Sequence, residues 1–163
     1  MLFISHRGNL SGPCPDRENS PDYIDAAIAA GFTVEVDLWI KDGQRYLGHK
    51  SPTYPIDQSW LESRVRSLLI HTKNQEAVRE ISKTYDFHFF CNEKDEFSLT
   101  SNGYVLYWSR DMKNDVLNKH CLLPLIKHAD VVNHLMLVNC AGGVISDYIR
   151  GIKEFYDFYL SSR

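Results

Sequence analysis

Three short apolar runs in the first fifty residues each lead into reactive side chains. Leu2-Phe3-Ile4 runs into His6-Arg7-Gly8, Phe32-Thr33-Val34 into Glu35-Val36-Asp37, and Tyr46-Leu47 into Gly48-His49. Apolar runs this short read as buried strands. Sheets of α/β proteins gather their functional groups at the carboxyl ends of their strands. The pattern therefore predicts an α/β fold with its chemistry along one rim of the sheet.

The chain has 163 residues, which suits a single domain spanning 1–163 with one core. With 44% hydrophobic and 24% charged residues, it can bury that core, and disorder is not expected. The net charge of −3 lacks the basic excess of a general nucleic-acid binder, so any anion site must be local. No apolar stretch is long enough to span a bilayer. The opening MLFISHRG has no basic n-region or long apolar h-region and reads as a first strand. Cys14, Cys91, Cys121 and Cys140 are scattered without a CxxC pair, which points to reduced thiols and a cytoplasmic location.

Ser20-Pro21-Asp22 has the pattern of a helix start, with Ser at the N-cap and Pro at the first helical position; Gly31 ends that helix. A strand over 32–40 turns back through Lys41-Asp42-Gly43-Gln44 into a strand over 44–49, so the sheet need not be uniformly parallel. Further strands are expected at 67–71, 87–91, 97–100, 104–108, 135–139 and 143–146. Asn74 is placed to cap a helix carrying Ala77, Val78 and Ile81 inward. A closing helix presents Ile152, Phe155, Tyr156 and Tyr159. Eight or nine strands with only about three clear helices are too little for a full (β/α)8 barrel of ~250 residues. They suit a compact, abbreviated TIM-type (β/α) barrel with several helices reduced to loops.

Glu35 and Asp37 are two apart on a strand and face the same side, away from Val34, Val36 and Leu38. Two carboxylates so placed repel unless one is protonated or a cation lies between them. A divalent metal cation resolves the repulsion and supplies Lewis acidity towards phosphoryl oxygens. A solvated face, or pairing with Lys41 or Arg45, is the alternative. His71 and Lys73 repeat the two-residue spacing on a later strand, as a metal ligand and a phosphate partner; a buried histidine bonded to backbone is the other reading of His71. His6 and His49 suit a general acid and base, and Arg7 offers a fork of donors to a phosphoryl group. Asp147 is read first as a cap for the last helix and second as a group that orients a catalytic residue. Trp39, Tyr54, Trp60, Tyr104 and Trp108 are assigned to packing by default.

These pieces, taken with Arg17-Glu18-Asn19-Ser20, Asp42-Gly43 and Gly143-Val144-Ile145-Ser146-Asp147-Tyr148, resemble the glycerophosphodiester phosphodiesterase family of phospholipase-C-like barrel enzymes. The N-terminal third resembles the family in order and spacing, and the late match is short. The resemblance implies a TIM-type barrel, a divalent cation (Mg2+ or Ca2+), and hydrolysis of a glycerophosphodiester to an alcohol and a glycerol phosphate. It implies His6 and His49 as the acid–base pair, Glu35 and Asp37 as metal ligands, Arg7 as a phosphate contact and Glu18 as support for the metal site. The chain departs from the family where Glu-x-Lys is usual, reading His71-Thr72-Lys73 instead. An imidazole there softens the site and adds Mn2+ as an alternative to Mg2+ or Ca2+. Asp95 or Glu93 would restore an oxygen ligand, although a solvated acidic turn is the simpler account of both.

The expected function is therefore a metal-dependent phosphodiesterase acting on a small-molecule or lipid-derived phosphodiester, with water or a neighbouring substrate hydroxyl as nucleophile. Two alternatives use the same residues: a non-catalytic barrel that binds a phosphate or sugar ligand, and a sugar-phosphate isomerase or lyase. Oligomeric state is not legible in the sequence.

Overall fold

The structure, a computed structural model, describes residues 1–84, 86–92, 95–108 and 117–162; Glu93 lies outside them. The strands are β1 (Leu2–His6), β2 (Thr33–Lys41), β3 (Gln44–Leu47), β4 (Tyr54–Ile56), β5 (Leu68–Thr72), β6 (His88–Phe90), β7 (Phe97–Leu99), β8 (Val105–Tyr107), β9 (Cys121–Pro124) and β10 (Gly143–Ser146). The helices are α1 (Pro21–Ala29), α2 (Gln58–Glu62), α3 (Gln75–Ile81), α4 (His128–His134) and α5 (Ile149–Ser161). Among the described residues no helix is long and apolar enough to cross a membrane.

All strands join one mixed sheet. Parallel neighbours run β6-β5-β2-β1-β10-β9-β8. Three right-sized crossovers build it: α1 between β1 and β2, α3 between β5 and β6, and α4 between β9 and β10. β2 is long enough to be shared along one edge: residues 33–35 pair with β1, and residues 38–41 pair antiparallel with β3, which in turn pairs with β4.

This corrects the expected TIM-type barrel. The sheet is a curled half-barrel, not an alternating (β/α) barrel. β3 and β4 return antiparallel instead of crossing over, and β7 and β8 form a second antiparallel pair at the far end. Among the described residues β6 and β8 are not ladder neighbours; a bond from the Ser101 amide to the Phe89 carbonyl links that side instead. With fewer crossover helices than strands, the sheet bends but has no complete ring of parallel pairs. Residues 135–139 form part of a 3-10 helix, not a strand. That segment buries Val138 and leaves Met136 exposed, and so short an apolar run does not distinguish the two conformations. β4, β9, α2 and α4 were not foreseen.

Three apolar clusters hold the sheet. Val34, Val36, Leu38 and Ile40 point outward from β2 to pack with Ile24 and Ala27 of α1 and Ala77 and Ile81 of α3. Val144 of β10 packs with Ile149 and Ile152 of α5 on another part of the outer surface. Inside the curl, Ile4, Leu69, Phe90, Leu106, Leu122 and Ile145 form a single plug. Asn74 caps α3 as expected, accepting the Ala77 amide at 3.1 Å. Ser20 occupies the N-cap position of α1, yet its side chain makes no capping bond.

Candidate active site at the carboxyl rim

Because Val34, Val36 and Leu38 face the helices, Glu35 and Asp37 necessarily face the interior of the curl. Parallel register sets Asp37 beside His71 and Glu35 beside His6. The turn after β1 puts Arg7 and Gly8 at positive φ (55° and 92°). A Cβ on Gly8 would lie 2.7 Å from the Tyr23 ring. Gly8→Ala is therefore expected to destabilise the protein by about 1–3 kcal/mol through strain and clash, read as a lowered urea midpoint.

Asp37 is fully buried and surrounded by donors. Asn19, itself buried with φ of 65°, donates its Nδ2 to Asp37 Oδ2 at 2.9 Å and accepts the Asp37 amide at 2.9 Å. Arg7 Nε lies 2.8 Å from the same oxygen, close as an ion contact but misaligned as a hydrogen bond. Asp37 Oδ1 meets His71 Nδ1 at 3.0 Å and Lys73 Nζ at 3.2 Å. Burial alone would raise the Asp37 pKa, but the His71 hydrogen bond and the Arg7 and Lys73 charges outweigh it and hold it well below the usual carboxylate range.

Glu35 behaves in the opposite way. Its Oε2 is buried with no hydrogen-bond partner and lies 3.9 Å from His6 Nε2, while its Oε1 lies 3.8 Å from His71 Nδ1. Burial, reinforced by the Asp37 charge, raises its pKa. Glu35, Asp37 and His71 each offer a ligand atom, all within 4.8 Å of one another, a spread compatible with one small cation. The unsatisfied Oε2 and the mixed carboxylate–imidazole donor set fit such an ion. His71 is thus not bonded to backbone through the nitrogen that meets Asp37; its ring stacks on Phe90 at 4.5 Å.

His6 is the other focus. Its Nδ1 lies 2.7 Å from Asp147 Oδ1; a carboxylate only accepts, so the ring donates through Nδ1 and turns Nε2 towards Glu35. Burial lowers the His6 pKa, but the Asp147 hydrogen bond and the Glu35 charge more than reverse this, leaving it raised. Asp147 does not cap α5; it orients His6, the second of the two roles read from sequence. Buried Asn9 donates through Nδ2 to both Asp147 (2.8 Å) and Glu18 (2.9 Å), and Glu18 in turn lies 3.4 Å from Arg7. Asn9 and Asn19 were missed as site residues. The only signal for Asn19 was its place in the Arg17–Ser20 motif; a buried asparagine in a Gly/Ser/Pro loop gives none.

A cavity of about 230 Å³ opens over this rim, lined by His6, Arg7, Glu35 and His71 together with Trp108, Ile126 and Ile145. Trp108, assigned to packing, lines it while its Nε1 donates to Ser98 Oγ at 3.0 Å. Of the residues expected from sequence, His6, Arg7, Glu35, Asp37, His71 and Lys73 come together. His49 is exposed and is not among the described residues lining the cavity. It follows Gly48, whose amide donates to the Asp37 carbonyl at 3.1 Å. Asp95 is exposed and lies outside the carboxylate–imidazole cluster.

Compared with known proteins, the chain matches no family model, no curated protein and no solved structure.

The two carboxylates affect pH stability with opposite signs. Asp37, depressed in the fold, contributes stability that is present above its unfolded pKa of about 3.9 and lost as pH falls through its native value. Glu35, raised in the fold, contributes stability below its unfolded pKa of about 4.3 that is lost as pH rises through its native value. In chelator-treated protein, Glu35→Gln is expected to remove that second loss, so the urea midpoints of variant and wild type diverge as pH rises above about 4.3.

Proposed function

We propose that this chain is a metal-dependent phosphodiesterase that hydrolyses a glycerophosphodiester-like substrate. The observation that carries the reading is His6: oriented at Nδ1 by Asp147, it offers Nε2 to a cavity whose lining also holds Glu35 and His71. The resemblance to glycerophosphodiester phosphodiesterases, stated from the ordered motifs, supports the same conclusion. Glu35, Asp37 and His71 would hold a divalent cation, Mn2+ more readily than Mg2+ or Ca2+ given the imidazole; when bound it supplies Lewis acidity to the phosphoryl oxygens. Arg7 and Lys73 bring positive charge to the phosphate. His6 gives its Nε2 proton to the departing alcohol oxygen as the P–O bond breaks. His49 is proposed, on the resemblance, to take the proton of the attacking water. The four scattered cysteines, with no CxxC pair among them, support a reducing, cytoplasmic setting.

The test is an assay of bis-(p-nitrophenyl) phosphate and of glycerophosphodiesters with Mg2+, Ca2+ and Mn2+. His49→Ala is expected to lower kcat, with the urea midpoint measured beside it to separate chemistry from stability. Full activity in that variant would remove His49 from the mechanism and leave His6 as the acid–base group. The exposure of His49 also favours a second reading, in which the cavity binds a phosphorylated ligand without turnover. Calorimetric binding with no product under any of these metals would select that reading.

A further inference from the structure

The interior of the curl is open at both ends. The active-site cavity lies at the carboxyl ends of the strands; a second cavity, about 240 Å³, lies at their amino ends. One layer of side chains separates them. Ile145 of the interior plug reaches the first cavity, and Ile4, Leu69 and Leu122 of the same plug form the floor of the second. A full eight-stranded barrel typically fills this space with about three layers of four side chains. The shortened sheet here has a single cluster of six, and the volume left at the amino end is a pocket.

The chemistry of that pocket is two-sided. Its floor is aliphatic, built by Ile4, Leu69 and Leu122 of the interior plug, and the more exposed Leu2 adds apolar surface beside them. Its mouth carries Arg66, which is exposed, and His88 and Tyr104, which are half-buried. No carboxylate occurs among its described lining residues, so nothing in the wall neutralises the arginine. An apolar floor under a cationic mouth matches an anion with a short hydrocarbon tail, the guanidinium fork meeting a planar carboxylate at two points. The volume exceeds the roughly 150 Å³ of an apolar cavity known to accept benzene, so a tail of six to eight carbons fits.

We propose that this second cavity is a binding site for a medium-chain aliphatic carboxylate, separate from the catalytic rim. The proposal does not depend on the phosphodiesterase reading. Hexanoate and octanoate are titrated into the 163-residue chain by calorimetry, with octanol as a neutral control and amide chemical shifts mapping the site. Saturable binding of octanoate well above that of octanol is expected, with shifts at Ile4, Leu69 and Leu122. Arg66→Ala is expected to weaken octanoate binding about tenfold or more, the usual effect of losing a charged hydrogen bond. Because Arg66 is exposed, the fold should tolerate the change; an unchanged urea midpoint checks this, and shift mapping on the wild type tests the site without any variant. Glu35→Gln should leave octanoate affinity unaltered. Absence of binding, equal affinity for octanol, indifference to Arg66→Ala, or shifts confined to His6 and His71 would each overturn the proposal.

Discussion

Replacing His6 by alanine is expected to lower kcat for bis-(p-nitrophenyl) phosphate by about 10²–10⁴-fold, the usual contribution of a positioned general acid or base. The expectation rests on geometry. Nδ1 is held by Asp147 at 2.7 Å, so Nε2 is the nitrogen left for substrate, and it opens on the cavity that also receives Arg7 and Glu35. Asp147→Asn is the companion variant. Its amide can present a donor to Nδ1, which favours the tautomer with the proton on Nε2 and disturbs the ring's orientation. Activity should fall in both variants, while the thermal shift produced by Mn2+ should persist, because neither His6 nor Asp147 belongs to the carboxylate–imidazole cluster. Undiminished turnover in His6→Ala, measured with chelated and metal-loaded protein, would remove His6 from the chemistry.

Saturating Mn2+ is expected to raise the melting temperature of the wild type by about 5–10 °C. An ion at about a hundred times its Kd stabilises by about 2.7 kcal/mol, and each kcal/mol moves a chain of this size by about 2–4 °C. Glu35→Gln should show two linked effects. Without metal it should be more stable than the wild type by about 0.5–2 kcal/mol, because an orphaned buried carboxyl beside a second carboxylate becomes a neutral amide. With metal, most of the Mn2+ shift should disappear. A melting temperature unmoved by Mn2+, Mg2+ and Ca2+ alike would sink the cation site. A destabilised Glu35→Gln would show that Glu35 has partners that compensate its burial.

The local chemistry was easier to read from sequence than the architecture. A two-residue spacing on a strand fixes which side chains share a face, so Glu35 with Asp37 and His71 with Lys73 were legible before any coordinates. His6 and Arg7 are adjacent, so strand period alone does not bring them together; the left-handed turn at Arg7 does. Sheet closure is a different kind of property. It depends on whether β6 and β8 become neighbours, which is a long-range matter that no local period records. The turn at Lys41–Gln44 predicted an antiparallel return correctly, but not that β2 would be shared between β1 and β3. Cys121-Leu122-Leu123-Pro124 forms a strand not expected from sequence; proline argues against a central strand position, and Pro124 is tolerated because it ends β9. His49 illustrates the limit of order and spacing. Its residue type and position match the acid–base pattern that the resemblance implies, yet its side chain is exposed and is not among the described residues lining the cavity. The role of Asn9 has no sequence signal and that of Asn19 only its place in the Arg17–Ser20 motif, because both give and receive hydrogen bonds across loops whose partners are set only when the rim assembles.

The pairing of His6 with Asp147 spans 141 positions of chain, whereas Glu35, Asp37, His71 and Lys73 all lie within one early segment. During synthesis the carboxylate cluster can therefore gather well before the last strand emerges from the ribosome. The imidazole cannot be aligned until β10 docks beside β1. The carboxylate cluster is thus an early, local assembly, whereas the orientation of His6 waits on the arrival of β10.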